Sequence, residues 1–309
     1  ITQFMGQKTI VLSDPRAYQE VLVDKSDCFS NNLGWDVIQP FFGRGILLED
    51  GGWHLQIRKV IKPSFHQKAI LEYHNIVTSI SDTLFSSLVI NSPVKLFDLA
   101  KQYTLFVISR IIFGNISDQK ILHISLLFEN IVAGLREWLR VPIPFTTYSN
   151  AFVAKSELEQ FTVHEFKKRQ LTLDDECSDF LSVLVSACNE GLLTEQRSIE
   201  VILQLLFGGH ETTSNLLVCL INMVFTRNDV KINLLNEIEK LDFNDPFYST
   251  KTPYLDAVIT EAQRLFPPFF YIPRGVIKNV NICNISIPSG WYIHLCPLIT
   301  HRNPQLFQD

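Results

Sequence analysis

A mainly α-helical fold with a small β-sheet is what this sequence predicts, and three observations carry the prediction. Apolar residues recur at spacings of three and four from Trp53 to about Arg169, as in Leu84 and Leu88 and again in Phe106, Ile108 and Ile112. One unusually long apolar segment runs from Leu193-Thr194-Glu195 to Phe225. Only after Pro267-Pro268 does the pattern change to short β-like runs. With 309 residues, 46% of them hydrophobic, the chain is long enough to bury a large core. It carries no internal repeat or interdomain linker, so a single domain over 1–309 is expected.

The elements follow in order. Lys8 to Leu12, with Thr9, Ile10 and Val11 at its centre, reads as a strand, and Ser13-Asp14-Pro15 supplies an N-cap with proline in the first helical turn. Cys28 to Asp50 is rich in Gly, Asn and aromatic residues without a sustained period, which predicts a long loop with one short helix. The helical region that follows breaks at Val141-Pro142-Ile143-Pro144-Phe145. Beyond the long segment come helices at about Asp229 to Lys240 and Tyr254 to Leu265. Val276-Ile277, Val280 to Ile287 and Tyr292 to Leu295 are then expected as strands, with a turn at Pro288-Ser289-Gly290.

The net charge of −5 is well mixed along the chain, which argues against a nucleic-acid partner. The six cysteines (Cys28, Cys177, Cys188, Cys219, Cys283, Cys296) show no C-x-x-C pair and read as mostly buried thiols of a reducing compartment. A soluble, cytoplasmic protein is expected; because the chain opens at Ile1, an N-terminal membrane anchor ahead of it stays an open alternative.

The long segment, residues 199 to 225, is apolar on every face except at Gly208-Gly209-His210-Glu211-Thr212-Thr213-Ser214-Asn215, so a helix buried at both ends and polar in its middle is expected. Two glycines in a helix interior cost about 1 kcal/mol each relative to alanine, a cost met where a backbone must approach something closely. A flat ligand would be such a reason. Helical spacing puts Val201, Leu205, Gly208, Thr212 and Leu216 on one stripe, with Glu211 beside it. A hydroxyl and a carboxylate at a bare patch suit the relay of protons into an apolar pocket. The island equally fits a core or transmembrane helix whose Ser and Thr side chains bond the preceding turn. A zinc-peptidase H-E-x-x-H helix is excluded, because position 214 is Ser.

Gly208-Gly209-His210-Glu211-Thr212-Thr213 resembles the A/G-G-x-D/E-T-T signature of the long distal helix of cytochromes P-450. Four further motifs stand in that family's order. Glu261-Ala262-Gln263-Arg264, followed by Pro267-Pro268, resembles its E-x-x-R helix, and Ile272-Pro273-Arg274-Gly275 its propionate-binding arginine segment. Ile287-Pro288-Ser289-Gly290 with His301-Arg302-Asn303-Pro304 is similar to its P-x-G turn and H-R-D-P segment, Asn303 replacing the usual Asp. Trp53-His54-Leu55-Gln56-Ile57-Arg58 is similar to its W-x-x-x-R helix, with His54 in the tryptophan position and Trp53 one residue early.

The resemblance implies a partial cytochrome P-450 fold and a haem-thiolate monooxygenase. Its cofactor would be haem b, with NAD(P)H acting indirectly through an electron-transfer partner of ferredoxin or flavoprotein reductase type, and its substrate an apolar small molecule. It implies that Thr212 and Glu211 are catalytic, holding the oxygen species and replenishing protons. Arg58, His54 and Arg274 would face haem propionates, Gly208 and Gly209 would face the haem, and Glu261 with Arg264 would form a structural lock. Substrate recognition would fall to Cys28–Asp50 and to Arg136–Ala151. The family's cysteine loop follows the His301 segment, so the metal ligand and the arginine completing the Glu261/Arg264 network are expected beyond Asp309, in a domain incomplete at both ends. Cys283 lies in a strand-like run and Cys296 precedes Pro297, so neither is assigned as ligand. The alternative is a non-catalytic truncated fragment without thiolate-ligated haem.

Overall fold

The computed structural model describes residues 1–4, 6–138, 140–172, 179–243 and 248–308. They divide into two compact units, and both contribute to the long helix foreseen between Leu193 and Phe225.

One unit, Asn31–Val94 with Lys101–His210, is helical. Its main helices are α1 Gly51–Ile61, α2 Gln67–Ser86, α3 Leu96–Phe113, which enters it at Lys101, α4 Asp118–Arg136, α5 Thr147–Thr172, α6 Phe180–Asn189 and the first half of α7, Glu195–Thr226. Along α4, Ile121, Ile124, Phe128 and Ile131 fall on one face and are buried, the stripe that a 3.6-residue period dictates. Small residues let α4 approach α5: a Cβ added at Gly134 would lie 2.3 Å from that of Ala151. The helix α6 starts where Asp179 caps it, its carboxylate accepting from the Ser182 amide at 2.9 Å. The core centres on fully buried Phe42 and Phe128, with the Phe207 ring centroid 4.6 Å from that of Phe42.

The other unit, Ile1–Ser30, Lys95–Ala100 and Glu211–Asp309, holds the β-structure. Strands β1 Thr2–Phe4, β2 Gln7–Leu12, β3 Phe29–Ser30, β4 Ile272–Val276 and β7 Tyr292–Leu295 form a sheet in the order β1-β2-β7-β4-β3, while β5 Val280–Ile282 and β6 Ile285–Ile287 form a separate hairpin. The strands β2 and β7 are parallel, with Ile10 opposite Ile293; the other pairs are antiparallel. Ile10, Leu12, Ile282, Ile287, Ile293 and Leu295 make its core, and α8 Asn228–Ile238 and α9 Pro253–Leu265 complete it. Asp14 caps the short Pro15–Gln19 helix, accepting from the Arg16 amide at 2.9 Å.

Four expectations need correction. The run Val280 to Ile287 is two strands, because Cys283 and Asn284 both take positive φ (48° and 66°) and turn the chain back. The run before it is β4, which begins at Ile272 and takes in the Pro273-Arg274-Gly275 motif. The segment from Cys28 to Asp50 holds short helices at Asn31–Gly34 and Gln39–Phe42 rather than one. In α7 the first half is buried at Val201, Ile202, Leu203 and Leu206, but Phe225 at the far end is 69% exposed. Apolar side chains there surround the helix, and packing on one side leaves others in solvent. Of the cysteines, Cys296 is buried and Cys28, Cys188, Cys219 and Cys283 are partly exposed; Cys177 lies outside the described residues.

Candidate functional site

The polar island of α7 starts from two glycines that the structure distinguishes. A Cβ on Gly209 would press on the Ile108 side chain of α3 at 2.9 Å, so this glycine is required by helix packing. A Cβ on Gly208 would meet nothing within 4 Å. The bare patch is therefore at Gly208, one turn ahead of Thr212, and it is open. Thr212 and Glu211 are both half-buried. Ser214 bonds back to the Glu211 carbonyl at 3.2 Å, as polar residues in apolar helices commonly do. The contrast has a measurable consequence. Gly208→Ala should stabilise the protein without bound cofactor by up to about 1 kcal/mol, through helix propensity alone. Gly209→Ala should cost about 1 to 3 kcal/mol by overpacking, and urea unfolding of the two variants checks the difference in sign.

His210, between these glycines and Glu211, went unremarked as a site residue in the sequence. Its side chain is buried, and its Nδ1 lies 3.0 Å from the Thr104 hydroxyl of α3, which is also within reach of the Lys101 and His210 carbonyls. The Phe128 ring meets it edge-on at 5.3 Å. Burial, helped by the charge of Lys101, pushes its pKa down to about 4, so the imidazole is neutral at neutral pH. Its place in a polar run was legible; its partner, 106 residues away, was not.

His54 and Arg58 occupy successive turns of α1, on the side of the helix that also carries the buried Ile57 and Ile61. His54 is half-buried and Arg58 exposed, and among the described residues no acidic side chain pairs with Arg58. Trp53 turns elsewhere, its ring lying 5.8 Å from the Arg197 guanidinium. That leaves His54, in the position the family gives to tryptophan, on the Arg58 face. Arg274 sits in β4 and donates to the Pro273 carbonyl at 2.8 Å.

Glu261 and Arg264 are brought together on α9 in a two-pronged pair, with Nε to Oε2 at 2.7 Å and a second guanidinium nitrogen to Oε1 at 2.5 Å. Arg264 also donates to the His301 carbonyl and lies under the Phe307 ring at 4.9 Å. The Arg264 bond holds the Glu261 carboxyl below the usual carboxylate range. Because the Glu261 side chain is 47% exposed, the pair contributes roughly 0.5 kcal/mol. Its part in the fold is to fix the end of α9 against the His301 turn.

Burial raises the Cys28 and Cys219 thiols above their ordinary value. Cys296 donates to the Phe270 carbonyl at 3.2 Å, and burial pushes the Cys283 thiol up, with Glu20 beside it adding to the shift. Among the described residues no group of three or more His, Cys, Asp or Glu side chains could hold a metal ion, and no helix is long and apolar enough to cross a membrane.

The open position at Gly208, with a hydroxyl one turn on, fits a flat cofactor lying against α7. Comparison with known proteins points the same way. A family profile described as Cytochrome P450 matches residues 2–309. Cytochrome P450 3A29 of Sus scrofa is 26% identical, the match covering 98% of this chain and 66% of that protein. Cytochrome P450 monooxygenase ALT8 of Alternaria alternata is also 26% identical, over 98% of this chain and 61% of its own length. Among solved structures, the retinoic acid bound cyanobacterial CYP120A1 superposes with a TM-score of 0.89 at 24% identity, covering 98% of this chain and 70% of that one. A zebrafish cytochrome P450 with progesterone superposes at 0.87 and 18% identity, over 97% and 76%. The chain thus spans about two thirds of the length of the curated relatives it matches. From residue 2 to residue 309, in sequence and in fold, it belongs to the cytochrome P450 family.

Proposed function

We propose that residues 1–309 form part of a single haem domain of a monooxygenase that hydroxylates an apolar organic substrate, using O2 and electrons delivered by a redox partner. The observation that carries this is the open Cβ position at Gly208, one helical turn ahead of Thr212 and with Glu211 beside it. Haem b, when bound, supplies the oxygen activation that no side chain here can perform. Around it, Gly208 leaves room for the flat face. The fork of Arg58 and the ring N–H of His54 on α1, and the guanidinium of Arg274 on β4, are suited to carboxylate groups of such a cofactor.

Thr212 Oγ1 then acts as a donor over the Gly208 patch, and the Glu211 carboxylate, next along the helix, reloads it with a proton. Both side chains are half-buried, so Glu211 can take up protons from solvent and pass them on through Thr212. A one-electron donor of ferredoxin or flavoprotein reductase type supplies the electrons, with NAD(P)H as their source, and residues Cys28–Asp50 and Arg136–Ala151 select the substrate.

In haem-loaded protein that carries a thiolate ligand, Thr212→Ala should lower product formed per NAD(P)H consumed on the order of ten-fold while NAD(P)H consumption persists. Unchanged coupling would remove Thr212 from the relay. Reduced protein with carbon monoxide tests the first premise: a long-wavelength thiolate-type Soret band after haem addition to residues 1–309 would mean that a cysteine of this chain ligates the iron.

A further inference from the structure

The segment from Phe42 to Glu49 has little regular structure of its own, yet much of it is buried, so its main-chain groups need partners. Side chains supply them. Gln204, buried in the first half of α7, accepts from the Leu47 amide at 2.7 Å through Oε1 and donates from Nε2 to the Gly43 carbonyl at 3.1 Å. Two turns earlier, Arg197 donates to the Arg44 carbonyl and pairs with Glu49. From the opposite side Asn32 donates to the Leu48 carbonyl at 2.9 Å.

The glycines of the segment fit the same contact. A Cβ on Gly45 would lie 2.7 Å from Gln204 Cδ and 2.8 Å from the Glu200 carbonyl oxygen, and one on Gly43 would lie 2.5 Å from Glu200 Cγ. The backbone therefore lies directly on α7. A loop fastened by its main chain leaves its side chains to face other partners, and Ile46 and Leu47 are only partly buried against the core.

We infer that Gln204 is a positioning residue for substrate selection: its carboxamide clamps residues 43–47 to α7 and so presents Ile46 and Leu47 as a fixed apolar lining rather than a mobile lid. The role in selection rests on the monooxygenase proposal; the clamp does not. Both ends of the carboxamide are used, one as acceptor and one as donor, which makes the residue type specific. Gln204→Leu keeps the bulk and loses both bonds, whereas Gln204→Glu keeps the acceptor for the Leu47 amide.

Hydrogen exchange on the full chain reads the clamp with or without haem. Gln204→Leu should speed exchange of the Leu47 amide at least ten-fold, with α4 and α5 unchanged, and Gln204→Glu should restore most of the protection. Gly45→Ala, whose added Cβ presses on Gln204 and the Glu200 carbonyl and pushes the segment off α7 while Gln204 itself is kept, should speed the same amide and serves if Gln204→Leu does not fold. Unchanged Leu47 exchange in these variants overturns the clamp. Selection is read by spectral titration of haem-loaded protein with toluene and naphthalene, two apolar probes of different size. The ratio of their dissociation constants should move at least three-fold toward unity in Gln204→Leu and return in Gln204→Glu. A ratio that does not move while Leu47 exchange rises overturns the role in selection. Protein extended by the family's cysteine loop that still binds no haem overturns that role together with the monooxygenase proposal, and leaves the clamp to the exchange result.

Discussion

Replacing Arg169 by alanine is expected to cost about 3 kcal/mol of stability, the upper range for a single side chain, because it removes one partner of a largely buried ion pair. Arg169 near the end of α5 donates to both carboxylate oxygens of Asp179, to the Ser182 hydroxyl and, at 3.2 Å, to the Phe113 carbonyl at the end of α3. Arg169 and Asp179 side chains are 16% and 15% exposed. One guanidinium thus joins three helices, and Asp179 is at the same time the cap of α6. The alanine variant would leave a carboxylate and a carbonyl with little water to replace the lost donors. Arg169→Lys should recover only part of the loss, since a single ammonium cannot serve both sides of the fork. Gly114 probes the same knot from its other side: φ is 69° there and an added Cβ would fall 2.4 Å from Asp179 Oδ2, so Gly114→Ala should also destabilise. Urea unfolding at neutral pH is the measurement. A loss of about 0.5 kcal/mol for Arg169→Ala, the value of an exposed surface pair, would mean that the knot is open to solvent.

Features that depend on short stretches of chain were legible in the sequence. The long helix foreseen from Leu193 to Phe225 is Glu195–Thr226, and the helix foreseen from Tyr254 is Pro253–Leu265, because hydrophobic period, caps and prolines are local signals. The capping role of Asp14 was local too. The turn at Cys283-Asn284 was not legible. Positive φ at two successive residues is usually advertised by Asn-Gly or Asp-Gly, and here the hairpin is made without glycine, with the Glu20 carboxylate accepting from the Cys283 amide at 3.3 Å. At the candidate site the sequence identified the island but could not separate its glycines. Gly209 is needed because Ile108 of α3, about a hundred residues earlier, packs against it, whereas a Cβ at Gly208 would meet open space, and neither fact is written in the local sequence. Gln204 was hidden for the same reason: a glutamine within an apolar helix has no local signature of the loop it holds. The pairing of Glu261 with Arg264, by contrast, follows from a spacing of three and needed no tertiary information.

His210 should make the stability of the helical unit fall between neutral and acid pH. Its pKa is depressed in the fold to about 4 from a reference of 6.5, so below pH 6.5 the unfolded chain binds a proton that the folded chain refuses. The unfolded state then carries more protons, and unfolding free energy decreases as pH falls, from the reference value down to the folded one. Each pKa unit corresponds to about 1.4 kcal/mol, so the contribution lost is roughly 2 kcal/mol between pH 7 and 4.5 and approaches about 3 kcal/mol below pH 4. Burial is the main cause and Lys101 the second, so removing the lysine charge should soften the effect without abolishing it. His210→Asn places an amide nitrogen near the position of Nδ1, keeping a bond to the Thr104 hydroxyl while removing the titration. Urea unfolding of wild type and variant at the two pH values isolates the His210 contribution, since other acid-sensitive groups act equally on both. The wild type should lose roughly 2 kcal/mol more than the variant over this interval. Equal losses would mean that water reaches the imidazole, and that the contact of α7 with α3 beside Gly209 opens in solution.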